Sequence, residues 1–312
     1  MEGLVIKTTG SWYIVLYLDD KIIQCKLKGN FKMKGMKTTN PIAVGDKVTF
    51  HLMADETMGL ITDIKERFNC IIRKSTNLSK QRHILAANID KAFLIVTIAS
   101  PRTSTGFIDR FLITAEAYHI PAVIVFNKID IYDDKMWEYH NELKSIYEKV
   151  GYPCMEVSAL SGENIKELRD IITDKVSLFS GHSGVGKSEL INKIAPELNL
   201  KTGIISDYHQ KGKHTTTFAE MFRLPFGGFI IDTPGIKEFG MVNFSKDEVT
   251  HWFPEMKLLA NKCQFNNCTH EHERVCAVKD AVNSGEISEI RYYNYLNIIN
   301  GREMEIEDWE LK

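Results

Sequence analysis

A chain of 312 residues has room for two or three domains, and its 44% apolar and 26% charged content is that of an ordinary globular protein, not a fibrous or disordered one. The longest apolar runs have strand length, well short of the roughly 18–20 residues of a membrane span, and MEGLVIKTTG has no basic segment followed by an apolar core. With a net charge of −2 there is no general attraction to nucleic acid, and a cytoplasmic protein with no membrane partner is expected.

Residues 1 to about 70 read as short strands without a long helix. WYIVLYL (12–18) and KIIQCKL (21–27) are rich in β-branched and aromatic residues, with Asp19-Asp20 as a tight turn between them. AVGDKVTFHL (43–52) and GLITDIKER (59–67) continue the pattern. Four or five such strands predict a small β-barrel, with the oligonucleotide/oligosaccharide-binding (OB) type as one candidate topology. Six lysines (21, 26, 28, 32, 34 and 37) and no acid lie between Lys21 and Lys37. That stretch reads either as a patch for nucleic-acid phosphates or as a solvated strand face and loop.

The texture changes near residue 88. AFLIVTI (92–98) and PAVIVF (121–126) are apolar strands, each followed by a segment of helical spacing: IDRFLITAEAYHI (108–120) and MWEYHNELKSIYEKV (136–150). Fully apolar strands alternating with helices predict a parallel sheet covered on both faces. The alternation continues to about residue 240, and the tail from about 245 is expected to be helical.

Four motifs fall on predicted strand ends. GHSGVGKS (181–188) fits G-x-x-x-x-G-K-[ST], after the strand VSLFS and before the helix ELINKIA. Its glycines let backbone N–H groups wrap phosphates, and the helix directs its positive end at them. Lys187 is expected to reach the β- and γ-phosphates and Ser188 to bind Mg²⁺. GGFIIDTPG (227–235) ends a strand at Asp232, whose carboxylate suits Mg²⁺ directly or through water, and the Gly235 N–H suits the γ-phosphate. AVIVFNKID places Asn127 and Asp130 at a strand's C-terminal edge, where open α/β sheets bind ligands. Asp130 can accept from guanine N1–H and the 2-amino group, a donor pair adenine lacks, and the stem of Lys128 can lie along the base. In MEVSAL (155–160) a backbone N–H at Ser158-Ala159 can donate to guanine O6. Together these motifs predict GTP. The expected contacts are Asn127, Lys128, Ile129, Asp130, Ser158, Ala159, the loop residues Gly181, His182, Ser183, Gly184, Val185, Gly186, Lys187, Ser188 and Glu189, then Thr216, Asp232 and Gly235. In KGKHTTTFAEM (211–221) one threonine, Thr216 by preference, is expected to meet Mg²⁺ and the γ-phosphate and to order the segment in the GTP state. The other reading is that Thr215–Thr217 only begin a strand.

The order is unusual. The guanine-reading elements precede the phosphate loop, the threonines and DTPG, whereas ordinary GTPases run the other way. Cutting such a domain between DTPG and NKID and joining its old ends gives this order, a change tolerated because termini lie at the surface. DTPG then leads through IKEFGM straight toward the tail, so a switch movement would pull on the C-terminal domain. Ile236 stands where Ras-type proteins carry a water-orienting glutamine. Slow intrinsic hydrolysis is expected, with His214 the candidate for the missing group, or else a histidine that contacts RNA or nothing.

KCQFNNCTHEHERVC gives Cys263-x4-Cys268-x-His270-x5-Cys276, three thiolates and an imidazole suited to one structural tetrahedral Zn²⁺. His272 is the alternative ligand. Cys25, Cys70 and Cys154 are scattered and carry no motif.

The motif order, GKHTTT, DTPGIKEFG and the Cys/His spacing resemble the ribosome small-subunit-dependent GTPase A (RsgA, also YjeQ) family over nearly the whole chain. The resemblance implies an OB-fold, RNA-binding β-barrel over 1–70, a circularly permuted α/β P-loop GTPase domain over 71–242 and a zinc-binding α-helical domain over 243–312. It also implies action in late maturation of the small (30S) ribosomal subunit, contact with 16S rRNA, and GTP hydrolysis to GDP stimulated by the subunit. Nothing in the sequence suggests more than a monomer. A GTP-gated binding module, whose hydrolysis only resets it, is the rival expectation.

Overall fold

The computed structural model describes residues 1–18, 20–28, 41–53, 57–74, 82–200, 220–232 and 245–302. They group into two compact units, the first from Met1–Ala92, Ile165–Phe179 and Ser188–Ile236, the second from Phe93–Asn164, Ser180–Lys187 and Lys237–Lys312.

In the first unit, five strands alternate inward apolar and outward polar side chains, the period that a half-buried strand requires. They are β1 (Glu2–Thr8), β2 (Tyr13–Tyr17), β3 (Lys21–Leu27), β4 (Lys47–Leu52) and β5 (Met58–Ile64). In KIIQCKL, Ile23 and Cys25 point inward and Gln24 and Lys26 outward. Antiparallel pairing joins β1–β2, β2–β3, β4–β5 and β1–β4, while β3 and β5 pair in parallel. The ring is closed, with Val5, Val15, Cys25, Val48, Phe50 and Ile61 inside, and its connectivity is that of an OB barrel. β1 has no strong pattern of its own in the sequence and owes its place to partners on both sides.

A buried ion pair seals the barrel. Arg67 donates from Nε to Asp46 Oδ1 and from Nη2 to Asp46 Oδ2, both at 2.6 Å, and Asp46 Oδ2 also accepts from the Ala43 amide at 2.8 Å. With its oxygens satisfied the carboxylate can sit at 0% exposure. A hairpin follows, β6 (Cys70–Lys74) with β7 (Arg82–Ala87).

The same unit holds β11 (Val176–Ser180), β12 (Glu220–Arg223), β13 (Phe229–Asp232) and helix α3 (Ile165–Ile172). β11 and β13 are parallel, as the sequence predicts, but β12 is antiparallel to β13. The reason is local. Only LPFGG (224–228) connects them, closed by Leu224 N–H to Gly228 O at 3.0 Å, and so short a link allows only antiparallel pairing. β12 also meets β1 at Glu220, where Lys7 Nζ lies 2.9 Å from the Glu220 carboxylate.

The second unit contains β8 (Lys91–Val96), β9 (Ala122–Phe126) and β10 (Cys154–Glu156), the last two parallel. Every residue of β9 is buried, as expected of a strand with both faces covered. Helix α1 (Thr105–Ala117) starts at Ser104, whose hydroxyl caps the Phe107 amide, and α2 (Asp134–Val150) starts at Asp133, which caps Met136. The C-terminal helices are α5 (Lys246–Val249), α6 (Pro254–Ala260), α7 (Ala277–Asn283) and α8 (Glu289–Ile299), packed around Phe253, Met256, Val278 and Tyr295.

At the centre of this packing Arg291 of α8 is fully buried. Its Nη1 donates to Asp109 of α1 at 2.5 Å, and its Nε and Nη2 form a fork on Glu255 of α6 at 2.8 and 3.0 Å. Burial works against the guanidinium charge, but the two carboxylates outweigh it and hold the Arg291 pKa well above its usual value. No helix among the described residues is long and apolar enough to cross a membrane.

Candidate functional site

The phosphate-loop motif forms the turn between β11 and α4 (Lys187–Ile194). Gly181, Gly184 and Gly186 have φ of 148°, 85° and 88°, left-handed values that favour glycine. A Cβ on Gly181 would collide with the Ile95 carbonyl, and one on Gly184 would stand 3.2 Å from Pro101 Cδ. The loop is therefore held against the segment that follows β8. Val185 is buried, and Lys187 Nζ donates to the Gly181 and His182 carbonyls at 2.5 and 3.2 Å. The His182 ring lies 3.7 Å from that of Phe107. Desolvation, and then the Lys187 charge, lower the His182 pKa. Ser188 and Glu189 occupy the first turn of α4, where unpaired N–H groups and the helix dipole favour anions.

Asn127 and Ser158 organise the predicted base-reading residues. Asn127 is 1% exposed. Its Nδ2 donates to Val185 O at 2.8 Å, and its Oδ1 accepts from the Ala159 amide at 3.1 Å. One side chain thus ties NKID, the Ser158-Ala159 turn and the phosphate loop together. Lys128 adopts φ 66° and donates from Nζ to Ser100 O and Gly184 O, the latter at 2.8 Å. Its stem therefore spans from NKID to the phosphate loop. Ile129 is buried beneath. Ser158 is buried and donates from Oγ to Asp130 Oδ1 at 2.5 Å, which fixes the carboxylate's direction. The Ser158 amide is taken by Glu163 O at 3.1 Å. Of the two amides expected to reach guanine O6, that of Ser158 is thus taken, and that of Ala159 is bonded to Asn127 Oδ1.

Asp232 closes β13 opposite Glu220. The Ser188 hydroxyl is a hard oxygen donor of the kind Mg²⁺ takes, and the Asp232 side chain lies outside the described ones. His214, Thr216, Gly235 and the IKEFGM link lie outside the described residues, as do Lys32, Lys34 and Lys37 of the basic stretch. Of its other lysines, Lys21, Lys26 and Lys28 are exposed, and Lys26 Nζ stands 4.1 Å above the Trp12 ring.

The ligating atoms of Cys263, Cys268, His270 and Cys276 all lie within 4.8 Å of one another. A zinc tetrahedron with Zn–S of about 2.3 Å and Zn–N of about 2.05 Å has S–S edges near 3.8 Å and S–N edges near 3.5 Å. The protein shows Cys263–Cys276 at 3.9 Å and His270 Nδ1 at 3.6 and 3.3 Å from Cys263 and Cys276. The donor set and its spacing fit zinc. Burial, and then a hydrogen bond with Cys276, push the Cys268 thiol up to about 12, so a metal ion would have to displace its proton on binding. His272 is not part of the cluster; its side chain is 86% exposed and faces Glu271 at 3.4 Å.

A family model described as RsgA GTPase matches residues 64–242, and one described as RsgA N-terminal domain matches residues 2–61. A Bacteroides fragilis protein named small ribosomal subunit biogenesis GTPase RsgA is 52% identical over 303 residues, covering 97% of each chain. The chain belongs to the RsgA GTPase family. A relative of the same name from Phocaeicola vulgatus is 54% identical over the same span. Among solved structures, YjeQ from Thermotoga maritima superposes with a TM-score of 0.77 at 34% identity, over 97% of this chain and 99% of the other. YloQ, described as a circularly permuted GTPase, gives 0.72 at 28% identity over 97% and 96%. The RsgA fold is thus an OB barrel, a circularly permuted GTPase and a helical region with a Cys3His cluster, and the protein is a GTPase. Within it, sequence reasoning missed Ser100, Pro101 and Phe107, which lie against the phosphate loop or Lys128. Pro101 and Phe107 flank the start of a helix and carry no motif. The available signal was their position just past the C-terminal end of β8, the sheet edge at which ligands bind.

Proposed function

We propose that this GTPase acts on the small ribosomal subunit during its late maturation, binding the 30S particle through 16S rRNA and hydrolysing GTP to GDP and phosphate faster when bound. The observation that carries the nucleotide part is Asn127, which joins three predicted GTP-binding segments by two hydrogen bonds from a buried side chain. Asp130, held by Ser158, selects guanine. The loop 181–188 and the first turn of α4 receive the phosphates, with Lys187 released from the loop carbonyls to meet them. Ser188 and Thr216, with Asp232 in support, would hold Mg²⁺, which would supply neutralisation of the phosphate charge. Gly235 reports the γ-phosphate. Ile236 has no polar atom with which to orient water, so intrinsic turnover is slow and His214 orients the attacking water once the subunit is bound.

Domain limits of 1–70, 71–242 and 243–312 suit this reading. The barrel, with its exposed lysines, takes the rRNA, and the zinc-held helical region receives the switch movement through 236–244. The ribosomal assignment draws its support from the names of relatives that align over 97% of their own length. The protein works as a cytoplasmic monomer.

Co-sedimentation with small subunits in GDP and in a non-hydrolysable GTP analogue, with turnover measured alongside, tests the proposal. Analogue-dependent binding and stimulated turnover are expected. Binding and turnover that ignore nucleotide and subunit would refute it. In the same assay His214→Ala is expected to lose stimulation while keeping GTP affinity; full stimulation in that variant removes His214 from the mechanism.

A further inference from the structure

One turn of α1 is held from two sides. Phe107, the residue capped by Ser104, lies with its ring 3.7 Å from the His182 imidazole, the planes 33° apart. Asp109, two residues on, projects from nearly the opposite face, because each helical residue turns by about 100°. It is fully buried and accepts from Arg291 Nη1 at 2.5 Å and from Asn294 Nδ2 at 2.6 Å. The segment ahead of the helix repeats the contact with the phosphate loop, since Pro101 abuts Gly184. Beyond Arg291, the Tyr292 hydroxyl donates to the His270 carbonyl at 2.6 Å, so the helix that grips Asp109 also touches the Cys3His cluster.

These contacts differ in stiffness. Asp109 and Arg291 are both at 0% exposure, and separating them strands a charge away from water. The helix cannot slide along α8 without that penalty. On its other face, Phe107 and His182 meet through a tilted ring contact, which is softer than a buried ion pair.

We propose that α1 is a positioning element for the phosphate loop, placed by the C-terminal helices through Asp109–Arg291, and that Phe107 is the residue through which this placement reaches the loop. A loop held ready by the protein binds an anion more tightly than one ordered only on binding. The inference rests on the reading of 181–188 as the nucleotide site. It is separate from any movement carried by the link after DTPG, because neither α1 nor α8 is part of that link.

The test uses the full metal-bound chain and titrates a fluorescent GTP analogue. Phe107→Ala is expected to weaken binding about two- to tenfold, the range of a lost ring contact, and Phe107→Tyr to restore it. The double variant Asp109→Asn/Arg291→Met removes both buried charges together and is expected to weaken binding in the same range. Adding Phe107→Ala to it should weaken binding by clearly less than the product of the two effects, because both changes act on the Phe107–His182 contact. Glu255→Gln, which loosens the fork but leaves Arg291 on Asp109, should shift binding the same way by less, and serves if the double variant does not fold. Unchanged affinity in Phe107→Ala, or effects that multiply in the combined variant, would overturn the inference. Wild-type chain that bound no GTP analogue would overturn the nucleotide reading with it.

Discussion

Asn127→Ala is the most informative single change. The side chain makes two hydrogen bonds, to Val185 O at 2.8 Å and from the Ala159 amide at 3.1 Å, from a site only 1% exposed. Val185 is fully buried, so its carbonyl would be left without a partner at about 1–3 kcal/mol, whereas the Ala159 amide, at a half-exposed turn, can regain water and loses about 1 kcal/mol. The sum is about 2–4 kcal/mol. It divides between the fold and the site, because the same bonds hold the phosphate loop against NKID. Urea unfolding measures the first share and GTP titration the second, and a drop in affinity of at least tenfold is expected alongside an earlier midpoint. Asn127→Asp should be at least as damaging, since a carboxylate oxygen would then face the Val185 carbonyl. If Asn127→Ala unfolds at the wild-type urea concentration and binds GTP within twofold of wild type, the tie between the three segments has been misread.

Three further outcomes follow from the geometry. Asp130→Asn should cost GTP more than about 100-fold in affinity, since it replaces one of the two acceptor oxygens with an amide donor facing the guanine 2-amino donor, and should gain xanthosine triphosphate, whose 2-oxo group accepts from the new amide; competition titration with both nucleotides reads this. Cys276→Ser should remove bound zinc, measured by elemental analysis, and lower the C-terminal region's resistance to heat, while His272→Ala should leave metal content unchanged because that side chain is exposed. Asp46→Ala should lower barrel stability by about 3–5 kcal/mol in urea, since it strands Arg67 at 9% side-chain exposure beside an unpaired Ala43 amide.

Much of the candidate site was legible because its chemistry is local. Gly181, Gly184 and Gly186 sit where backbone must turn left-handed, and no other residue does so at little cost. Asn127 and Asp130 could be placed because AVIVF is apolar at every position and so had to be a covered strand. The barrel was legible as a strand count, but its closure was not, since β1 gains its identity from β2 and β4. The hairpin β6–β7 and helix α3 went unnoticed because each is short and its pattern ambiguous. Most hidden was the Asp109–Arg291 pair, whose partners stand 182 residues apart. Its one trace is a carboxylate in the apolar stretch FIDRFLI and an arginine before YYNYL, charges at positions where helical spacing calls for apolar side chains.

β1 is hydrogen-bonded to β2 and β4 within the barrel and also meets β12 at its far end. A chain trimmed to begin after the barrel would lose the pairing of β1 with this side of β12, which is made at Glu220. Unpaired strand borders recruit one another. A shortened version made for biochemistry would therefore tend to self-associate for reasons unrelated to nucleotide. By this reasoning the barrel would also shield the end of that strand border, and its loss would be felt first in solubility and only then in turnover.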